Sequence, residues 1–324
     1  MCASCLAVIA LCFSLSAGAV EKRGYIWLGT GGPAGTYYRV GKSLCDLINS
    51  RSRPIGAGAT MRLHCTIAPS GGSTYNLRQV SIGAFTFALS QSDSQHFSHQ
   101  GTKPSHVVPF KDLRSVLSLY PEPVQVVVSK NSGIETFADI RGKRVNIGNR
   151  GSGTRSLMIA IMEAHDIKVD DLGKATGLTS KEYAEALCDD RIDAFVSVTT
   201  FPFAPVNKAI TECGARLLNL NSTVEEKLVS KFPFYEVITI PAGAYEGMSR
   251  EITTIGVIAT VVTGRRVDAK AVYEFTRTIL ENAQELRDRT KVPIFVEPDR
   301  MVRDGLSAPL HPGAVRYYIE KGWL

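Results

Sequence analysis

The chain has 324 residues, enough for two domains at about 100–200 residues each, with 44% apolar and 21% charged residues. That composition excludes a disordered, collagen-like or polytopic membrane chain. Thirty-seven basic residues against 31 acidic ones give a net charge of +6. No Lys/Arg run reaches four, so nothing marks a nucleic-acid partner, which would show as a clustered basic stripe.

Residues 1–19 read as a cleavable signal peptide. An apolar run from Leu6 to Leu15 is followed by the small-residue pattern Ala17-Gly18-Ala19. The run is shorter than the ~20 residues of a membrane span. No Lys or Arg precedes it. The mature chain is taken as residues 20–324.

Strands and helices then alternate. Residues 25–28 form a short strand that ends in a glycine-rich turn, and Thr36 caps a helix with Val40, Leu44, Leu47 and Ile48 on one face. Turn formers at 54–58 lead to a strand at 63–67, a second turn at Pro69-Ser70-Gly71-Gly72-Ser73 opens a helix, and 82–89 is a third strand. Strands at 116–119 and 124–128 are split by Pro121-Glu122-Pro123. The pattern restarts with a strand at 144–147, a turn at 148–153 and a helix at 154–164. Residues 194–198 and 217–220 read as strands, and 253–263 as a long β-branched one. One long helix follows, with Val272, Phe275, Ile279, Ala283 and Leu286 aligned. This alternation predicts βαβ units in a mostly parallel sheet, as two α/β lobes with a ligand cleft between them.

Seven cysteines are present, three of them in the signal segment. Cys45, Cys65, Cys188 and Cys213 remain, without zinc-ligand spacing. Three pairings are open, as is a set of four buried thiols. An exported chain favours disulfides. The expected pairs are Cys45–Cys65, from the first helix to the next strand, and Cys188–Cys213, at the ends of successive helices. Each closes a short loop, contributing about 3 kcal/mol.

Two motifs are decoys. Gly29-Thr30-Gly31-Gly32-Pro33-Ala34 fits the dinucleotide spacing, but residues 51–59 supply no acidic partner for a ribose. Gly41-Lys42-Ser43 lacks the P-loop glycine five residues earlier and falls inside an amphipathic helix. Enzyme constellations are poor: there is no Gly-x-Ser-x-Gly elbow and no His-Glu-x-x-His, and His96 and His99 read as a surface pair. What remains is a glycine-rich turn before a helix start at 31–36, 70–73 and 148–154. Each offers free N–H groups and a helix dipole to an anion. Tyr37, Phe201 and Phe203 adjoin turns and are the aromatic candidates for lining a cleft.

Gly29-Thr30-Gly31-Gly32-Pro33-Ala34-Gly35-Thr36-Tyr37-Tyr38 resembles the opening motif of the TAXI family, the extracytoplasmic solute receptors of TRAP transporters. So do Gly71-Gly72-Ser73-x-Tyr75-Asn76-Leu77, Ala88-Leu89-Ser90-Gln91-Ser92-Asp93, Phe110-Lys111-Asp112-Leu113-Arg114, and Gly142-Lys143-Arg144-Val145-Asn146-Ile147-Gly148 with Gly151-Ser152-Gly153-Thr154. The tail from Asp304 to Ala314 is similar to the immunogenic-protein branch of that family. Arg150 stands where the family commonly has Pro, and residues 198–203 are more apolar than the family leads one to expect.

The resemblance implies a two-lobed type II periplasmic-binding-protein fold. Lobe 1 is expected at 20–121 plus 254–324 and lobe 2 at 122–253, with hinge crossings at Pro121-Glu122-Pro123 and 252–262. It also implies a periplasmic receptor that binds a small carboxylate, a glutamate-like amino acid or a dicarboxylate, and hands it to TRAP permease subunits, without cofactor or metal. An exported enzyme using the same cleft and a host-interacting antigen are the rival classes. The expected ligand set is Gly32, Thr36, Tyr37, Gly72, Ser73, Gln91, Arg150, Ser152, Gly153, Thr154 and Thr199, with hydroxyls at helix N-caps pointing where the free N–H groups point.

Overall fold

The computed structural model describes residues 22–53, 61–102 and 108–324. The expected signal segment and the turn at 54–58 lie outside them. Ten strands are described: β1 (Lys22–Gly29), β2 (Met61–Ala68), β3 (Phe87–Gln91), β4 (Leu113–Val128), β5 (Arg144–Asn146), β6 (Lys174–Thr176), β7 (Ala194–Val198), β8 (Arg216–Leu217), β9 (Glu236–Ile240) and β10 (Ile252–Gly264). The helices are α1 (Thr36–Arg51), α2 (Ser73–Ser81), α3 (Ser92–Gln100), α4 (Gly153–Ala164), α5 (Tyr183–Cys188), α6 (Ala204–Cys213), α7 (Thr223–Lys231), α8 (Ala269–Glu281), α9 (Ala283–Thr290), α10 (Pro298–Arg303) and α11 (Pro312–Glu320).

The strand order is β2-β1-β3-β10-β4-β7-β5-β6, with β8 on β4 and β9 on β10. Pairing is parallel towards both ends, β1 with β2 and β3, and β5 with β6 and β7. It is antiparallel through the middle, where β10 meets β3 and β4, and β4 meets β7. The sheet is therefore mixed rather than mostly parallel, because both long strands cross between the lobes against their neighbours. Residues 113–123 of β4 pair with β10, and 124–128 pair with β7.

Pro121-Glu122-Pro123 does not split β4; it lies inside one 16-residue strand. The Pro123 carbonyl accepts from Thr199 N, on the edge turned to β7. The missing proline N–H groups lie on that same edge, and β7 pairs only from Val124 onward, so the ladder to β10 loses no bond. Gly256 stands opposite Pro123, where a Cβ would come within 2.9 Å of the Glu122 carbonyl oxygen. The expected single C-terminal helix is two, α8 and α9, separated by Asn282, and the expected strand at 217–220 shrinks to β8.

Each lobe has its own core. In the first, Ile26 and Leu28 alternate with exposed Tyr25 and Trp27 along β1, so one face of the strand meets the apolar stripe of α1. The C-terminal helices complete that core, with Phe275 stacked on Phe87 at 4.3 Å between ring centroids. In the second, Val126, Ile147, Leu157, Ile161 and Val196 pack on one side of the sheet, and Leu187, Phe195, Val206 and Tyr245 on the other. Disulfides join Cys45 to Cys65 and Cys188 to Cys213, the expected pairs.

Candidate ligand-binding cleft

Three helix starts converge on one cavity of about 250 Å³, near the lower edge of the ~300–1,000 Å³ range of ligand pockets. The turn before α1 contributes Gly31, Gly32 and Gly35, the turn before α2 contributes Ser70, Gly71 and Gly72, and the turn before α4 contributes Gly148, Asn149 and Ser152. Of the expected ligand set, Gly32, Thr36, Tyr37, Gly72, Ser73, Gln91, Ser152, Gly153, Thr154 and Thr199 all line this cavity. Arg150 is exposed and lies outside the lining. Phe203 lines the cavity and Phe201 does not.

The two lobes touch across the cavity through backbone at glycines. Tyr75 N donates to Gly151 O at 3.0 Å, and Asn149 Nδ2 to Gly71 O at 3.0 Å. A Cβ on Gly71 would stand 3.1 Å from Arg150 O, and one on Gly72 would stand 3.2 Å from Ser152 Cα. Gly72 also has φ +112°, which side chains disfavour. The Thr199 hydroxyl donates to Thr36 Oγ1 at 2.8 Å, and the Thr74 and Ser156 hydroxyls pair at 3.1 Å. These contacts define a closed arrangement of the cleft.

The capping chemistry differs from the expected pattern. Gly35 and Gly72, not Thr36 and Ser73, are the N-cap residues of α1 and α2, and neither can accept with a side chain. First-turn N–H groups have no carbonyl four residues back; at α2 that of Tyr75 is spent on Gly151 O, which leaves the first two for a ligand, and α1 keeps its own. Ser152 does cap α4: its Oγ accepts from Arg155 N at 3.1 Å and donates to Asn149 O at 2.8 Å. That hydroxyl is therefore used internally, and α4 offers the N–H groups of Gly153 and Thr154 instead. Ser73 Oγ accepts from Gln91 N at 3.1 Å and donates to the Tyr37 phenol, whereas Thr154 Oγ1 accepts from Val198 N at 3.3 Å, which leaves its hydroxyl hydrogen to serve elsewhere.

Among the described residues no Lys or Arg lines the cavity, and the one carboxyl there is Glu122. Glu122 is buried on β4, and its Oε2 accepts from the Tyr37 hydroxyl at 2.9 Å. Burial pushes its pKa up to about 8, with the nearby Asp93 adding to the rise and hydrogen bonds from Tyr37 and Gln91 opposing it. Burial likewise raises Asp93 to about 7 and holds the Tyr37 phenol well above its ordinary range. Near neutral pH Glu122 is thus protonated, the cavity walls carry no net charge, and the helix dipoles dominate the field.

Sequence reasoning missed Glu122, although a lone acid in an otherwise apolar strand is a signal in itself. It also missed Thr179, Ser180, Tyr183 and Ser197, which complete the lobe 2 wall; no motif marks them. Among the described residues no cluster of three or more His, Cys, Asp or Glu is placed to hold a metal.

Several solved structures share this architecture. The chain is similar to MatC from Rhodopseudomonas palustris with bound malate, at 12% identity and TM-score 0.56, covering 93% of this chain and 97% of that one. It is similar to PhnD1 from Prochlorococcus marinus in complex with methylphosphonate, at 9% identity and TM-score 0.54, covering 93% and 99%. It is also similar to the periplasmic binding protein BugD, at 9% identity and TM-score 0.51, covering 94% of each chain. At such identities the shared property is the fold, a two-lobed α/β periplasmic-binding-protein fold with its cleft between the lobes. One family model runs from residue 28 to residue 322, through all three cleft turns and both crossing strands, and by that match the chain belongs to the NMT1-like family.

Proposed function

We propose that the protein is a periplasmic solute receptor of the TAXI type, exported through its N-terminal segment. It binds one small carboxylate and passes it to the membrane permease subunits of a TRAP transporter. The observation that carries this reading is the convergence of three helix starts, two of them without side-chain caps, on one neutral cavity between the lobes. Each charge-assisted bond to a carboxylate contributes about 1.5–3 kcal/mol. Four of them match the about −8 kcal/mol of micromolar binding, so no guanidinium is required. The TAXI motifs and the fold shared with periplasmic binding proteins support the same assignment.

The lobes are taken as residues 20–121 plus 254–324 and 122–253, hinged where β4 and β10 cross. The carboxylate is held by N–H groups at the starts of α1, α2 and α4, with the Thr36, Ser73 and Thr154 hydroxyls beside them. The protein turns nothing over: among the described residues the cavity is lined by hydroxyls and one buried acid but no His or Cys, so no His- or Cys-based nucleophile–base pair faces the ligand. A thermal-shift screen of the purified mature chain over amino acids, organic acids, NAD and ATP tests this. One class of small acid is expected to raise the melting temperature. A shift with a nucleotide and with no acid would overturn the reading.

A further inference from the structure

The segment between β7 and α6 supplies Thr199 to the cavity wall at one end and Phe203 at the other. Both ends are tied to one side chain of β4. Gln125 Nε2 donates to Thr199 O at 2.9 Å, and Gln125 Oε1 accepts from the Tyr245 hydroxyl, whose oxygen accepts in turn from Phe203 N at 3.2 Å. The bond from Thr199 N to Pro123 O is 3.4 Å long, beyond the usual range, so the amide is the firmer hold. Gln125 is 1% exposed and stands in the run Val124-Gln125-Val126-Val127-Val128. It alternates with Val124 and Val126 and shares the Val127 side of the strand, where Phe195, Phe203 and Tyr245 form an apolar core. An amide is costly to bury there unless it is hydrogen-bonded, and an aliphatic side chain would serve the core alone.

Resting on the receptor reading above, we propose that Gln125 is the positioning residue of the lobe 2 wall: it touches no ligand, but its amide holds both ends of residues 199–203 so that Thr199 meets Thr36 and Phe203 faces the cavity when the lobes close. Gln125 does not line the cavity, so it acts through those two residues. Its planar amide carries the acceptor and the donors on separate arms, which sets Thr199 and Tyr245 at a fixed spacing. Without the amide, Thr199 O and the Tyr245 hydroxyl are left as buried groups lacking a partner. The open form can relax around them, because nothing there requires Thr199 Oγ1 to stand 2.8 Å from Thr36 Oγ1. Closure does require it, so part of the loss falls on affinity and not on folding. A protonated carboxyl has nearly the shape of the amide and the same two capacities, an acceptor for Tyr245 and an O–H for Thr199 O, whereas a carboxylate has no donor.

The test is calorimetry with whichever of L-glutamate, succinate, malate and pyruvate raises the wild-type melting temperature most. It compares Gln125→Met and Gln125→Glu with the wild-type chain at each pH from about 5 to 9, with folding of each variant checked by circular dichroism and melting. Gln125→Met lacks both bonds and should bind about 5- to 150-fold more weakly than wild type throughout. Gln125→Glu should bind within about threefold of wild type at the acid end, where burial keeps the introduced acid protonated, and lose affinity relative to wild type as its O–H ionises. A group that only supports the fold would lower melting and leave the affinity of the folded chain alone. Gln125→Met within twofold of wild type, or Gln125→Glu as weak as Gln125→Met at the acid end, overturns the positioning role and leaves the receptor standing. Should Gln125→Met not fold, Tyr245→Phe takes its place: it frees Phe203 N and keeps the Thr199 bond, and unchanged affinity in it overturns the role equally. If none of the four acids shifts wild-type melting, the receptor reading falls and takes the positioning role with it.

Discussion

Gly153→Ala probes whether the lobes close in the way the cleft contacts imply. Gly153 is the first residue of α4, on lobe 2, and its φ lies outside the left-handed region, so alanine fits the backbone. Its Cβ, however, would fall on Gln91 Oε1 and stand 2.5 Å from Gln91 Cδ and 2.7 Å from Ser73 Oγ, both on lobe 1. Inserting one methyl into such a contact costs about 1–3 kcal/mol. On the receptor reading proposed above, the lobes separate without ligand and the clash disappears, while the helix gains about 0.5–1 kcal/mol from alanine over glycine. The cost therefore falls on the liganded, closed form alone. Affinity for the best acid should drop about 5- to 150-fold, whereas the ligand-free melting temperature should hold or rise by about 1–4 °C. Calorimetry gives the first quantity, differential scanning fluorimetry the second, and small-angle scattering shows whether ligand still compacts the molecule. Affinity within twofold of wild type, with ligand-free stability kept, would refute the closed geometry.

Ser152→Ala should lower ligand-free stability by about 1 kcal/mol, the cost of a lost N-cap, and leave affinity within twofold, since that hydroxyl is spent on Arg155 N and Asn149 O; a large affinity loss at unchanged stability would make it a ligand donor. Replacing Cys188 and Cys213 together by Ser should cost about 3 kcal/mol, read by denaturant unfolding, and peptide mapping of the wild-type chain without reductant should recover no link between Cys45 and Cys188. Glu122 and Asp93 are raised to about 8 and about 7, so the folded chain holds protons that the unfolded chain releases from about pH 4 upward. The stability they contribute is complete below that range and is lost as pH rises to about 8. Melting of the ligand-free protein should fall from pH 5 to 8.5, and less steeply in Glu122→Gln; an unchanged slope in the variant would contradict the buried-acid account.

The α/β alternation, the two lobes and the disulfide pairs were readable because they rest on local signals. The 3.6-residue spacing of α1 and the β-branched run of β10 each specify an element without outside help. What escaped was set by partners distant in sequence. Pro121 and Pro123 read as strand breakers, and they are harmless only because β7 has not yet begun on their free edge. Asn282 divides the C-terminal helix although the apolar period runs straight through it. The three turns were legible as helix starts rich in glycine. The acid that faces them was not, because Glu122 reaches the cavity only once β4 has been threaded between the lobes. Arg150 shows the converse: a cation beside a turn invites pairing with an anion, yet it is exposed and outside the cavity lining.

The passage of β4 and β10 between the lobes also sets an order of assembly. Lobe 2 can bury its apolar faces once β10 has been made, since its two cores draw on residues 97 to 257 and 127 to 252. Lobe 1 cannot, because Phe87 waits for Phe275, and Leu117 and Leu119 share a core with Tyr317 and Tyr318. A chain emerging N-terminus first therefore carries β1, β2, β3 and α1 half-covered until its last 60 or so residues arrive, a long-range closure of the slow kind. During that interval the Cys45–Cys65 link, only 20 residues apart, is a local constraint that can keep α1 against β2 while the rest of its core is still being made.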